Sequence, residues 1–346
     1  SLHTSFHINT DSAVSYGKQK GHAISRDIGF SWEEDFSFVE HGGVLLDNGD
    51  RLRIVTKQSV PIENIALPEK ITESESYAEK FQLYNASDFP DDLGGWYFSR
   101  MVKNTDVWVE EQAKVNIPGA TRWSRSGVLP IPFLWRMKKA PNGMLWGIHY
   151  DFRQGDKCPV HLMRAIFLVS EDHGKTWDYR SEIEYIPNKE KDPYWNKRDG
   201  FSEPNISFMP DGSIFCLLRT SDGNGIGPMY WSRSTDEGRS WSLPECFDDL
   251  GVWPAIVTLN NGVTLTSYGR PGIFLRATCD PSGIEWEDRH EILAPDKSGV
   301  ANTCAYTDLI AIDDNSVYMV YSDFFYPDEN GVKRKTILGR KIVIEK

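Results

Sequence analysis

Apolar and polar residues alternate in short runs along most of the chain, and turn-forming residues separate the runs. Around residue 211, an alternating run (206–208) and a more apolar run (213–218) flank Pro210, Asp211 and Gly212. Alternation with a period of two marks a strand with one buried face, and Asp-Gly supplies the positive φ of a tight hairpin. A third run, 228–232, follows. The hairpin signal recurs as Asn48-Gly49, Asn142-Gly143, Asn261-Gly262 and Asp314-Asn315. Each precedes another alternating or apolar run, at 51–56, 144–150, 263–268 and 316–321. Helical periodicity is almost absent, a short helix near 73–83 being the one exception expected. The fold class read from this pattern is all-β.

A second element closes these hairpin units. SRDIGFSW (25–32), SEDHGKTW (170–177) and STDEGRSW (234–241) share the pattern S-x-D-x-G-x-[ST]-W. TCDPSGIEW (278–286) is a looser relative with one extra residue, and SRMVKNTDVW (99–108) reads as a decayed fifth copy. In such a loop the Asp accepts backbone N–H bonds, the Gly takes positive φ and the Trp packs the loop onto its sheet. The turns at 211, 261 and 314 are spaced by 50 (261 − 211) and 53 (314 − 261) residues. A period near 50 made of short strands points to a β-propeller. At roughly 55 residues per blade, the length gives about six blades, placed near 1–35, 36–115, 125–180, 195–245, 250–290 and 300–346. The terminal strands are expected to share one sheet and so remove a free edge. Residues 59–96 break the period. They are charged, contain Pro61, Pro68 and Pro90, and read as an insertion into a single domain spanning 1–346.

Composition narrows the partners. A net charge of −12 over 346 residues argues against nucleic acid and against an anionic membrane surface. No run of 18 apolar residues exists to insert into a bilayer. No signal peptide is visible, and the chain starts at Ser1 without Met, as after removal of an upstream segment. Cytoplasmic and secreted or periplasmic locations both stay open. Five scattered cysteines and eight histidines without HExxH-like spacing give no disulfide framework and no metal site, so no cofactor is expected. Twelve Trp and fourteen Tyr suit a β-rich protein with a carbohydrate partner.

The repeated loops on a six-blade period resemble the sialidase (neuraminidase) superfamily, whose members carry such Asp-boxes, or BNR repeats, on six-bladed propellers of four-stranded antiparallel blades. In that family the Asp-boxes lie on the outer rim, so they speak for the fold and not for the chemistry. The chemistry rests on other positions. The family places a glutamate before an inner strand and an arginine after its hairpin, as Glu203 and Arg219 stand here. A second arginine matches Arg270 in LTSYGRPG (265–272), and a tyrosine opening the next inner strand matches Tyr306 in CAYTDL (304–309). The resemblance implies a retaining glycosidase of exo-α-sialidase type, acting on a sialic acid or other acidic sugar. Tyr306 would be the nucleophile, Glu203 its base, and Arg219 and Arg270 a clamp on the substrate carboxylate. A neutral phenol avoids repulsion from an anionic sugar but needs a base, since its pKa lies near 10. Arginine stays charged and grips carboxylates bidentately.

The chain also departs from the family. Where an Arg-Ile-Pro motif is expected, residues 130–134 read PIPFL, with Pro130 at the arginine position. Arg122, Arg125 and Arg136 are the candidates to fill its space. The acid/base aspartate is expected in HYDFRQGD (149–156), with Asp156 preferred over Asp151, and Asp323 corresponds to the carboxylate that orients the missing arginine. Loss of that arginine favours a uronic acid or a modified sialic acid over sialic acid itself. It also sustains a different class of function, a catalytically silent carbohydrate-binding propeller. On purely structural grounds Glu203 could cap a turn, Arg219 and Arg270 could sit in ion pairs, Tyr306 could be a core residue, and Asp151 and Asp156 could be solvated loop carboxylates.

Overall fold

All five turn signals form hairpins in the computed structural model, which describes every residue except 10–11, 36–41, 77–78, 156–158, 221–226 and 346. Gly49, Gly143, Gly212 and Gly262 take φ of 89°, 87°, 85° and 88°. Their N–H groups donate back to the carbonyls of Leu46, Ala140, Met209 and Leu259. The strands that follow are Arg51–Ile54, Leu145–Asp151, Ile214–Thr220, Thr264–Gly269 and, after Asp314-Asn315, Ser316–Pro327. The chain packs as two units, Ser1–Ser181 and Glu182–Lys346.

The first unit holds two four-stranded antiparallel sheets. One comprises Val44–Leu45, Arg51–Ile54, Trp96–Met101 and Trp108–Asn116; the other comprises Arg136–Lys139, Leu145–Asp151, Arg164–Ser170 and Thr176–Ile183. Their outer strands pair in parallel, from Lys114 opposite Thr176 to Asn116 opposite Asp178, so the eight strands are continuous. Leu52, Phe98, Leu145, Leu168 and Trp177 pack between them. The segment read as an insertion departs from expectation. The helix expected near 73–83 is instead a hairpin, Lys70–Ser76 with Glu79–Asn85, which pairs with Thr121–Ser124. Ser74, Ser76, Phe81 and Leu83 are buried while Glu73, Glu75, Lys80 and Gln82 face solvent. The true period there is two, and the charged residues mask it. The helical parts of the segment are the α-helical turn Asp91–Gly94 and the 3-10 turns Ile62–Asn64 and Ala86–Asp88.

The second unit contains two more four-stranded antiparallel sheets. These are Phe201–Phe208, Ile214–Thr220, Met229–Ser234 and Glu245–Asp248, then Val252–Thr258, Thr264–Gly269, Ile273–Thr278 and His290–Leu293. A three-stranded sheet, Asp308–Asp313, Ser316–Pro327 and Lys333–Val343, completes it. The N-terminal strand Leu2–His7 lies in a three-stranded sheet of the first unit, with Lys20–Ser25 and Glu33–Glu34. The expected shared sheet of the terminal strands is therefore absent among the described residues. Each strand finds its partners in nearby sequence instead.

Three of the S/T-x-D loops fold by one scheme; in the fourth the Thr278 hydroxyl accepts the Asp280 N–H and donates to the Glu285 carbonyl, and the Gly283 N–H goes to the Asp280 carbonyl. The Ser25, Ser170 and Ser234 hydroxyls accept the N–H of the loop glycine at 2.7–2.9 Å and donate to the loop aspartate at 2.8–2.9 Å. That aspartate accepts the N–H four residues on. Ser31 donates from its hydroxyl and then its N–H to Asp27, and with Ser25 holds the Asp27 carboxyl down to about 2. Ser282 does the same for Asp280, also down to about 2. Trp177 and Trp286 fasten their loops by indole N–H bonds to the Gly174 and Gly283 carbonyls, at 3.0 and 2.7 Å. The 99–108 copy differs: Asn104 turns it with φ 65°, and the carboxylate that caps it comes from Asp50, which accepts the Lys103 N–H at 2.9 Å. No helix among the described residues is long and apolar enough to cross a membrane.

Candidate functional site

In the second unit, irregularities recur in or just before the first strand of each sheet. In Phe201–Phe208, Ser202 pairs with Arg219 but Asn205 pairs with Leu217, so three steps on one strand face two on the other. Glu203 sits in this bulge with φ 47°. The next sheet repeats it: Val252 pairs with Gly269 and Ala255 with Ser267, and Trp253 takes φ 52°. Pro204 and Pro254 follow, and a residue without an N–H suits a place where the ladder is interrupted. Before the third inner strand, Ala305 takes φ 58° immediately ahead of Tyr306. Left-handed conformations are uncommon outside glycine and cost most for bulky side chains.

Near these irregularities lie four of the residues expected from sequence, Glu203, Arg219, Arg270 and Tyr306. Arg219 donates to one oxygen of Glu203 at 2.5 Å, and both side chains are buried, 3% and 4% exposed. The other Glu203 oxygen accepts the Trp253 N–H at 2.9 Å. The Trp253 indole stacks on the Tyr306 ring, with centroids 4.2 Å apart and planes 25° apart. The Arg270 guanidinium lies 5.7 Å from the Tyr306 ring centroid and donates to the Cys304 carbonyl at 2.7 Å. Arg219, Glu203, Trp253, Tyr306 and Arg270 thus form an unbroken run of contacts across three consecutive sheets of the unit. Tyr306 and Arg270 are half-buried, so the run passes from a buried ion pair to groups that solvent reaches. Asp323, also half-buried, turns its carboxylate onto the Phe325 N–H at 2.8 Å.

Asp151 belongs to the first unit and ends the strand Leu145–Asp151. One of its oxygens accepts the Phe152 N–H at 2.7 Å, and the other lies 3.6 Å from His149 Nε2. His149 packs edge-on against Trp96, with centroids 4.8 Å apart. Of the three arginines considered for the space at Pro130, Arg122 reaches it. Its guanidinium donates to the Pro130 carbonyl and to that of Leu93. Burial pulls the Arg122 pKa down to about 10, and the charge of Asp151 partly opposes the shift. Arg125 instead lies over Phe81 and Trp123 and 3.5 Å from Glu79. Arg136 starts its strand opposite Ile148. Asp156 lies outside the described residues. Trp253 was not anticipated from sequence. The signal for it was a proline behind it, in the place where Pro204 stands behind Glu203.

No protein-family model matches the chain, and no curated protein matches it. Solved structures do. A protein of unknown function from Dyadobacter fermentans is 18% identical, with a TM-score of 0.60 over 94% of this chain and 84% of that one. A point mutant of the NanB sialidase of Streptococcus pneumoniae is 12% identical, with a TM-score of 0.55 over 94% of this chain and 63% of that one. The GH93 α-L-arabinofuranosidase of Fusarium graminearum, solved with arabinobiose, is 11% identical, with a TM-score of 0.50 over 94% of this chain and 85% of that one. With the four-stranded antiparallel sheets described above, these likenesses establish an all-β, sialidase-like propeller fold of the kind that glycoside hydrolases use.

Proposed function

We propose that the chain is a glycoside hydrolase of sialidase type that acts on an acidic sugar through a covalent step at Tyr306. The run of contacts from Arg219 through Glu203, Trp253 and Tyr306 to Arg270 supports this reading. In this mechanism the Tyr306 oxygen attacks the anomeric carbon and the glycosidic bond breaks through an oxocarbenium-like transition state. Glu203 takes the phenol proton; Arg219 and the Trp253 N–H fix its two oxygens, each of which keeps a further lone pair for that proton. Arg270 grips the substrate carboxylate with the guanidinium nitrogens not used on the Cys304 carbonyl. A general acid supplies the proton for the leaving oxygen. Water then releases the sugar by the reverse route, with retention.

A second reading, a silent carbohydrate-binding propeller, draws on one observation: the Arg219 guanidinium is engaged by the Glu203 carboxylate. One experiment separates the two. Aryl sialosides, uronides and neutral glycosides are incubated with the protein and with Tyr306→Phe. Release from at least one acidic glycoside, lost in Tyr306→Phe, is the expected result. No release above the Tyr306→Phe control on any substrate would sink the enzyme reading, and release that survives Tyr306→Phe unchanged would sink the mechanism.

A further inference from the structure

We infer that Trp253 is a positioning residue that sets the orientation of the Tyr306 ring relative to Glu203, an inference that rests on the glycosidase reading above. Three observations converge on it. Trp253 occupies the bulge position that Glu203 occupies one sheet earlier, with nearly the same φ, 52° against 47°. Its backbone N–H holds one Glu203 oxygen at 2.9 Å, while its indole lies against the Tyr306 ring at 4.2 Å. One residue therefore touches both the base and the nucleophile, the first through its main chain and the second through its side chain.

The identity of the residue strengthens the case. A left-handed backbone favours glycine, and a large aromatic there is a strained choice for folding alone. Such outliers persist where the surroundings over-determine them, and here the surroundings are the site. Stacking acts on the face of the ring, so it sets the plane of Tyr306 and with it the direction of the C–O bond. The Trp253 indole is half-buried, as a residue flanking a solvent-reached group must be.

The test separates the side chain from the backbone bond. Trp253→Gly keeps the N–H to Glu203 and suits the positive φ, so it removes the stack without straining the chain. Trp253→Phe keeps an aromatic face. On the acidic glycoside that the wild type cleaves, Trp253→Gly is expected to lose on the order of 10–100-fold in kcat with KM changed by about twofold or less, as for a misplaced reacting group. Trp253→Phe is expected to restore most of that loss. A Trp253→Gly enzyme with wild-type kcat, while Tyr306→Phe is inactive, overturns the inference and leaves the glycosidase reading intact. A second readout needs no turnover. The near-UV circular dichroism difference between the protein and its Tyr306→Phe variant reports the Tyr306 ring in its fixed stack. It is expected to collapse in the Trp253→Gly background and to persist in the Trp253→Phe background. An unchanged difference spectrum in Trp253→Gly overturns the inference whether or not any glycoside is cleaved.

Discussion

The Glu203–Arg219 pair can be broken from either side, and its burial makes the outcome specific. Both side chains are nearly out of solvent, the contact is 2.5 Å, and the remaining Glu203 oxygen has the Trp253 N–H as partner. Removing one member of a buried pair leaves the other charged in a poor solvent, which costs about 3–5 kcal/mol. Arg219→Met retains much of the aliphatic stem and deletes the charge. Glu203→Gln retains an amide oxygen for the Trp253 N–H and deletes the carboxylate. Each single variant is expected to lose about 3 kcal/mol. The double variant leaves no uncompensated charge, so its loss is expected to stay near about 3 kcal/mol rather than reach about 6, a coupling of about 3 kcal/mol. Urea unfolding followed by tryptophan fluorescence and far-UV circular dichroism measures all three losses. If the two single losses simply add, the pair is not a buried unit and this reasoning fails.

Two further outcomes follow from the geometry. Trp177 is fully buried, stacks on Phe98 at 5.5 Å and bonds the Gly174 carbonyl, whereas Trp32 is half-buried. Trp177→Ala should therefore cost about 4 kcal/mol and Trp32→Ala clearly less, as thermal midpoints of the two variants would show. Asp27 and Asp280 titrate near about 2 in the fold, against an ordinary 3.8. A depressed carboxyl stabilises the fold above its unfolded value and loses that contribution as pH falls through the folded one. Asp27→Asn should thus flatten the acid limb of the denaturation midpoint between about 3.8 and about 2, and an unchanged limb would remove the loop hydrogen bonds as the cause.

The hairpins were legible because their chemistry is local: Gly49, Gly143, Gly212 and Gly262 each supply a backbone conformation that neighbours alone dictate. The S-x-D loops were legible for the same reason, since every bond in them spans a few residues. Residues 73–83 misled because Glu73, Glu75 and Lys80 make the segment look charged and solvated, while the burial of Ser74, Ser76, Phe81 and Leu83 belongs to a sheet completed far along the chain, at 121–124. In the candidate site, Glu203, Arg219, Arg270 and Tyr306 stood out by resemblance. Arg122 was one of three arginines that spacing could not rank, because its carbonyl partners lie on Leu93 and Pro130. Trp253 went unnoticed because its meaning lies in a bulge against a neighbouring strand and a stack on Tyr306, far along the chain, and neither is local in sequence.

The short parallel ladder between Lys114–Asn116 and Thr176–Asp178 has a consequence for how the first unit comes apart. Main-chain bonds make its eight strands one continuous hydrogen-bonded body, reinforced by the Lys114 N–H to the Lys175 carbonyl at 2.9 Å. Among the described residues, the two four-stranded sheets of the second unit have no such ladder between them. Amide protons of both halves of the eight-stranded sheet should therefore exchange with solvent through one shared opening, at a common slow rate. In the second unit the sheets led by Phe201–Phe208 and Val252–Thr258 should open separately.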